Sequence, residues 1–197
     1  MDTQLFEGEL VRLGVFDPET DSEVEAHWTE NPDYLRLTEI EPMRPLSVSQ
    51  VKKKRQNLAR QAEENKKTFE FAIRLTSDNR LAGFARLENI DWTNGAGQVI
   101  LAIGDPADWG HGYGSEVLQL MLRYAFHELN LHRLGAPVFE YNDRGRRLLE
   151  KAGFREEVRR RQFIRRDGKR WDLIRMGLLR PEWEQERTQY VRLGREE

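Results

Sequence analysis

The sequence predicts an α+β fold, a mixed and mostly antiparallel sheet flanked by helices, and three observations lead there. Residues 69–75 alternate, placing Phe69, Phe71, Ile73 and Leu75 on one face. Turn residues follow at Ser77-Asp78-Asn79 and again at Asp91-Trp92-Thr93-Asn94-Gly95, so three strands succeed one another as a meander. The last of these runs through Val99 to Ile103 into three alternate glycines, Gly110, Gly112 and Gly114. A stretch without glycine or proline, Glu116 to Leu129, then carries apolar residues at helical spacing. The chain closes on a hairpin whose Asp167-Gly168 pair favours a type I′ turn.

Taken in order, Leu10 to Val15 reads as a first strand, ended by Asp17-Pro18. Ser22 with Glu25 has capping-box spacing for a helix that contributes Val24 and Trp28 to packing and stops at Asn31-Pro32. Ser47 with Gln50 repeats the signature and opens a longer helix toward Lys67, with a narrow apolar stripe of Val51, Leu58 and Ala62. Its Lys52, Lys53, Lys54 and Arg55 read as a solvated face. After the meander, the helix from Glu116 has an apolar arc broad enough for a core position. Leu134 to Tyr141 is the next strand, parallel to Gln98–Ile103 if the helix between them crosses over right-handed. Pro137 has no N–H to give, so one side of that strand is expected to be unpaired there. Asn142 can cap a helix over Asp143–Ala152, which Gly153-Phe154 ends. The final hairpin pairs Val158–Arg165 with Trp171–Leu179, and residues 182–197 read as a tail that is polar except for Trp183, Tyr190, Val191 and Leu193.

With 197 residues, 38% hydrophobic and 34% charged, the chain has the length and composition of a single domain over 1–197. No apolar run is long enough for a membrane helix, and the N-terminus lacks a signal-peptide pattern, so a cytoplasmic protein is expected. The absence of cysteine excludes disulfides and thiolate chemistry. A net charge of -2 gives no global attraction to nucleic acid. The Arg159-Arg160-Arg161 and Arg165-Arg166 runs would split between hairpin faces, so nucleic acid is not an expected partner.

Strand, glycine loop and helix make a candidate phosphate cradle, because glycine lets backbone approach a ligand and a helix start offers unpaired N–H groups. The Lys-Ser or Lys-Thr pair of a Walker loop is missing. The alternate glycines also fit a dinucleotide fingerprint poorly, since Ser115 fills the third glycine slot and antiparallel hairpins precede the loop. His111, His127 and His132 have no zinc-motif spacing, so no metal is expected.

The stretch Trp109-Gly110-His111-Gly112-Tyr113-Gly114-Ser115-Glu116, then Tyr124-Ala125-Phe126, Leu129-Asn130-Leu131-His132-Arg133, Asn142 and Glu150-Lys151-Ala152-Gly153-Phe154 resemble the core of GNAT acetyltransferases. The similarity is greatest to the branch of ribosomal-protein N-terminal acetyltransferases and covers about residues 96–154. It implies a GNAT-type fold with central parallel strands splayed around acyl-CoA, and transfer of acetyl from acetyl-CoA to a primary amine. The acceptor would be a protein N-terminus or a small-molecule amine, and a homodimer is implied. By the same resemblance, Trp109, Gly110, His111, Gly112, Tyr113, Gly114 and Ser115 would hold the CoA pyrophosphate. Leu101, Ala102 and Ile103 would pair with pantetheine, with Asn142 beside that arm.

Many family members place a tyrosine in the helix after this asparagine to protonate the departing thiolate; the matching residue here is Leu149, and Asp143–Ala152 contains no hydroxyl. Tyr141 or a water is the substitute. Glu88, at the end of the central hairpin, is the candidate base. Glu39 and Glu41 fall where related folds build the acceptor wall and are candidates for receiving a cationic substrate. The alternative is a non-catalytic acyl-CoA-binding regulatory protein of the same fold.

Overall fold

The computed structural model describes residues 5–38, 40 and 42–185. Seven strands form one sheet in the order β1-β2-β3-β4-β5-β7-β6. They are β1 (Val11–Gly14), β2 (Phe69–Leu75), β3 (Leu81–Asp91), β4 (Ala96–Ile103), β5 (Arg133–Phe139), β6 (Arg155–Arg166) and β7 (Lys169–Leu179). All neighbours are antiparallel except β4 and β5. The helices are α1 (Asp21–Trp28), α2 (Pro32–Thr38), α3 (Val48–Asn65), α4 (Tyr113–Arg123) and α5 (Asp143–Lys151). The meander predicted from alternation is thus β2-β3-β4, and the closing hairpin turns at Asp167 (φ 50°) and Gly168 (φ 72°), both left-handed as a type I′ turn requires.

The two faces of the sheet are filled differently. On one, α4 presents Val117, Leu118, Leu120, Met121 and Leu122 to Ile73, Leu87, Val99, Leu134 and Ile174 in the main core. After Arg123 this helix widens into a π-turn over Tyr124–Glu128, which the helical spacing did not reveal. On the other face, Trp28, Tyr34 and Leu35 pack on Ala72, Leu81 and Ala102. A separate cluster of Phe139, Ile164 and Leu173 sits on the same side at the β5-β7-β6 end. Residues 180–185 are helical, and Trp183, one of the apolar exceptions in the polar tail, is buried against the Phe126 ring and joins the main core.

Several expectations are corrected. Ser47 and Gln50 do form a reciprocal capping box, but Ser22 and Glu25 do not: α1 starts after Thr20 without a side-chain cap, and the Glu25 carboxylate is drawn to Arg55 instead. Val24 is exposed rather than packed. Arg55, read as part of a solvated basic face, is 4% exposed and is the most buried cation of α3. Its helix phase turns it inward beside Val51 while Lys53 and Lys54 stay exposed, Lys54 at the rim of a cleft that Arg55 also lines.

Candidate functional site

The parallel ladder between β4 and β5 lasts only three residue pairs, Ala96 with Arg133, Gly97 with Leu134 and Gln98 with Gly135. Beyond them the strands part. In this register the next rung would require the nitrogen of Pro137 to donate to the Val99 carbonyl, and proline has no hydrogen there. On its other side β5 stays paired to β7 as far as Phe139 with Leu173, and the N–H of Glu140 donates to the Asp172 carbonyl. By alternation, the backbone groups of Pro137 and Phe139 face the gap. Likewise Gly104 N–H donates to the Ala82 carbonyl in β3, so the backbone groups of Val99, Leu101 and Ile103 face the gap from the other side. Of these, the Ile103 carbonyl accepts the indole N–H of Trp109 at 2.9 Å.

The parting opens a cavity of about 550 Å³, within the range of small-molecule sites. Leu101, Ala102, Pro137 and Asn142 line it, with Leu148 and Leu149 of α5 and Phe84 and Glu88 of β3. Asn142 has two tasks. Its Oδ1 accepts the Gly145 N–H at 2.9 Å as the cap of α5, so its amide N–H groups remain for the cleft.

At the outer end of β4 lies the glycine loop. Asp105 accepts the Ala107 N–H and starts a single 3-10 turn, Pro106–Asp108, and Asp108 is clamped by both terminal nitrogens of Arg80, at 2.7 and 2.5 Å. Those bonds hold the Arg80 guanidinium charge firmly, raising its pKa further above its already high value. Gly110 (φ 87°) and Gly112 (φ 88°) adopt left-handed backbone conformations that other residues rarely take, and Gly112 is the N-cap of α4. Gly114 is different: it sits in the first helical turn with ordinary φ and room for a Cβ. Among the described residues, no hydrogen-bond acceptor meets the N–H groups of Gly110, His111, Gly112, Tyr113 or Gly114, while Ser115 and Glu116 N–H both bond to the Gly112 carbonyl. His111 stacks on Tyr113, and the Arg144 guanidinium lies 4.4 Å above the Trp109 ring. A run of unpaired donors at a helix start, with an arginine beside it, fits an anion such as a pyrophosphate.

Glu116, in the first turn of α4, does more than complement the helix dipole. Its carboxylate accepts the N–H groups of Glu9, Leu10 and Val11 at 2.7–2.8 Å, tying the entry to β1 against the glycine-loop helix. A bond across more than a hundred residues leaves no local signal.

Glu88 lines the cleft, with Oε2 2.8 Å from Nε of Arg86. It ends a chain of alternating charge. Glu25 of α1 bonds Arg55 of α3 at 2.5 Å, Arg55 bonds Glu70 of β2 at 2.5 Å, and Glu70 lies 3.6 Å from Arg86 of β3. The Arg55 guanidinium is sandwiched between Phe16 and Phe84, 4.7 Å from each ring centroid. Burial works against its charge, yet Glu25 and Glu70 more than offset it and raise its pKa. Spacing arguments missed this chain because its members come from four elements.

Tyr141 stands outside the cavity lining. Its O–H donates to the Arg36 carbonyl of α2 at 2.6 Å, and its ring stacks on Phe139 and meets Trp171 edge-on. Burial pushes the Tyr141 phenol up in pKa. Glu39 and Glu41 lie outside the described residues, while Thr38 and Ile40 beside them line the cleft. Among the described residues, no cluster of three or more histidine, aspartate or glutamate side chains could hold a metal ion, and no helix is long and apolar enough to cross a membrane.

The family model described as an acetyltransferase (GNAT) domain matches residues 12–155. The chain belongs to the GNAT acetyltransferase family. This GNAT protein is 33% identical over 129 residues to the SPbeta prophage-derived N-acetyltransferase YokL of Bacillus subtilis (strain 168), covering 65% of this chain and 72% of that one. It is 31% identical over 113 residues to YdaF of the same organism, whose name places it among ribosomal N-acetyltransferases, covering 57% and 61%. In fold it is similar to a spermidine N-acetyltransferase from Vibrio cholerae solved with CoA and spermine, with a TM-score of 0.74, 20% identity and coverage of 88% and 97%. The GNAT fold expected from the sequence, with its one splayed parallel pair, is therefore present, and by family this GNAT protein is an N-acetyltransferase.

Proposed function

We propose that the chain, as one domain over 1–197, transfers acetyl from acetyl-CoA to a primary amine by direct attack on the thioester. The observation that carries this reading is the early end of the β4–β5 ladder at Gln98 and Gly135, set beside a loop of unpaired N–H groups. The backbone of Leu101 and the N–H groups of Ile103 and Phe139, whose carbonyls are taken by Trp109 and Asn142, offer partners to an amide-rich pantetheine arm, and residues 109–115, chiefly through the N–H groups of 110–114, offer donors to its pyrophosphate. Acetyl-CoA supplies the activated acyl carbon.

The chain's own residues then position and move protons. Asn142 offers its amide to the pantetheine side, and the N–H groups of Leu101 and Ile103 steady the oxyanion. Glu88, directly or through a water, takes the proton that leaves the attacking amine. Its link to Arg86 keeps it oriented over the cleft. Tyr141 would have to give up its bond to Arg36 to protonate the departing thiolate, so departure relies chiefly on the thiolate's own tolerance, with a thiol pKa of about 8.5. Glu39 and Glu41 stay in this proposal as carboxylates for the acceptor's ammonium. Holding both reactants in one cleft supplies much of the rate.

Release of free thiol from acetyl-CoA across a panel of amino acids, N-terminal peptides, polyamines and aminoglycosides tests the reading. Turnover on at least one amine is expected. A thermal shift with ATP or NAD and none with acetyl-CoA overturns it. Leu149, buried at the position that matches the family's acid, favours one second reading, a regulatory protein that binds acyl-CoA. Tight acetyl-CoA binding with no thiol release on any amine selects that reading.

A further inference from the structure

The carboxylates and cations of the cleft are not evenly matched. Among the described residues, Glu25 and Glu88 are the carboxylates lining it, with Glu70 just behind, and all three are paired with Arg55 or Arg86. Two further arginines line the same cavity, Arg160 of β6 and Arg175 of β7, and neither has a hydrogen-bond or ion-pair partner among the described residues. Their placement is ordered by the sheet. Arg160 is registered with Leu173, and Arg175 follows Leu173 by two residues, so all three share one face. Such diagonal neighbours have Cβ atoms about 7–8 Å apart, close enough for two long guanidinium side chains to converge on one anion. The Arg160 guanidinium is also seated 4.5 Å from the Phe163 ring centroid. The nearby carboxylates of Glu140, Glu156 and Asp172 are gathered instead around Arg159, which is registered with Ile174 and so belongs to the opposite face.

This side of the sheet is also where α2 reaches across to the β6–β7 hairpin. Tyr141 bonds the Arg36 carbonyl, Arg166 bonds the Ile40 carbonyl at 3.2 Å, and Arg36 pairs with Asp167. These contacts fix the distance between the α2 wall and the strands that carry Arg160 and Arg175. A polycation entering here would find its described carboxylates already engaged and two guanidiniums facing it. An anion would find both without a carboxylate partner among the described residues.

We propose that the acceptor amine also carries a carboxylate, and that Arg160 and Arg175 hold this group while the amine meets Glu88. The inference rests on the acetyl-transfer reading and sharpens it to a zwitterionic acceptor class. Guanidinium suits the task because its fork of N–H donors matches carboxylate geometry. The carboxylate has two possible sources, the α-carboxylate of a free amino acid or an acidic side chain near a peptide's N-terminus.

The test compares matched acceptors with the intact protein and acetyl-CoA. Free amino acids are set against their carboxamides, peptides beginning with serine-glutamate against serine-glutamine, and spermidine against both. We expect kcat/KM for the acid to exceed that for its neutral partner about tenfold, in the amino-acid arm or the peptide arm according to the source. In R160Q/R175Q that preference should collapse by about tenfold, chiefly through KM, and in R155Q it should persist, because Arg155 pairs with Glu182 away from the cleft. Equal use of acids and amides, preference for spermidine, or an acid preference untouched by R160Q/R175Q overturns the proposal while leaving acetyl transfer standing. Calorimetry with N-acetylated amino acids and N-acetylated serine-glutamate peptides supplies a readout that needs no turnover. If they bind wild type at least tenfold tighter than R160Q/R175Q but no amine is acetylated, the carboxylate site stands and the transfer reading fails. If none binds and no amine is acetylated, both fail.

Discussion

Replacing Arg55 with methionine removes the centre of the charge chain behind the cleft while keeping much of its volume between Phe16 and Phe84. Arg55 and Glu25 are each 4% exposed at the side chain and Glu70 is 16% exposed, so the two carboxylates left behind have little access to water. Removing one member of a buried ion pair costs about 3–5 kcal/mol, because the remaining charge is desolvated without compensation. For a chain of this size each kcal/mol is worth about 2–4 °C, so the melting temperature should fall by about 6–20 °C. Urea unfolding of wild type and R55M at neutral pH measures this, and E25Q/R55M/E70Q, which removes all three charges, should recover part of the loss. A change below about 1 kcal/mol at neutral pH, or a triple variant no more stable than R55M, would refute the reasoning.

Other expectations are more local. G112A should cost about 1–2 kcal/mol, since φ is 88° there, and should weaken acetyl-CoA binding, whereas G114A, with its nearest neighbour 3.6 Å from the added Cβ, should fold normally; denaturation and donor-binding titrations compare them. E116A strips three N–H groups of their acceptor and should cost about 1–3 kcal/mol, with faster hydrogen exchange at Leu10 and Val11 as the specific sign. E88Q should lower kcat about 100-fold with acetyl-CoA affinity unchanged, read from steady-state rates and donor titration. Arg133 forms a two-pronged bond with Glu157 and holds its carboxyl below the usual range. The stability this adds is present above about pH 4.3 and should disappear as pH falls through the lowered value, so E157Q and wild type should converge in strong acid.

What the sequence made legible was what depends on neighbours along the chain. Strand alternation placed β2 to β4, the Ser47 and Gln50 spacing placed the start of α3, and Asp167-Gly168 placed the last turn. Pro137 marked the unpaired side of β5, because a missing hydrogen is a property of one residue. Where a side chain is claimed by a distant element, local rules gave the wrong partner. Glu25 has the spacing to cap α1 but goes to Arg55, thirty residues on, and Glu116 reaches back to β1. Arg55 sits in a run of cations and is indistinguishable from its neighbours until the helix phase and the apposed carboxylates are known. The pairing of Arg160 with Arg175 likewise emerges only from the register of β6 on β7.

The place of Pro137 also bears on how the cleft behaves between turnovers. Two adjacent strands with exposed donors and acceptors would ordinarily zip together once a bound molecule departed, and each new arrival would then have to prise them open. Here the first closing rung lacks its hydrogen, so closing from the paired end would leave the Val99 carbonyl without its ladder partner. That missing bond lowers the gain from closing and so favours a cleft that stands open between one bound molecule and the next.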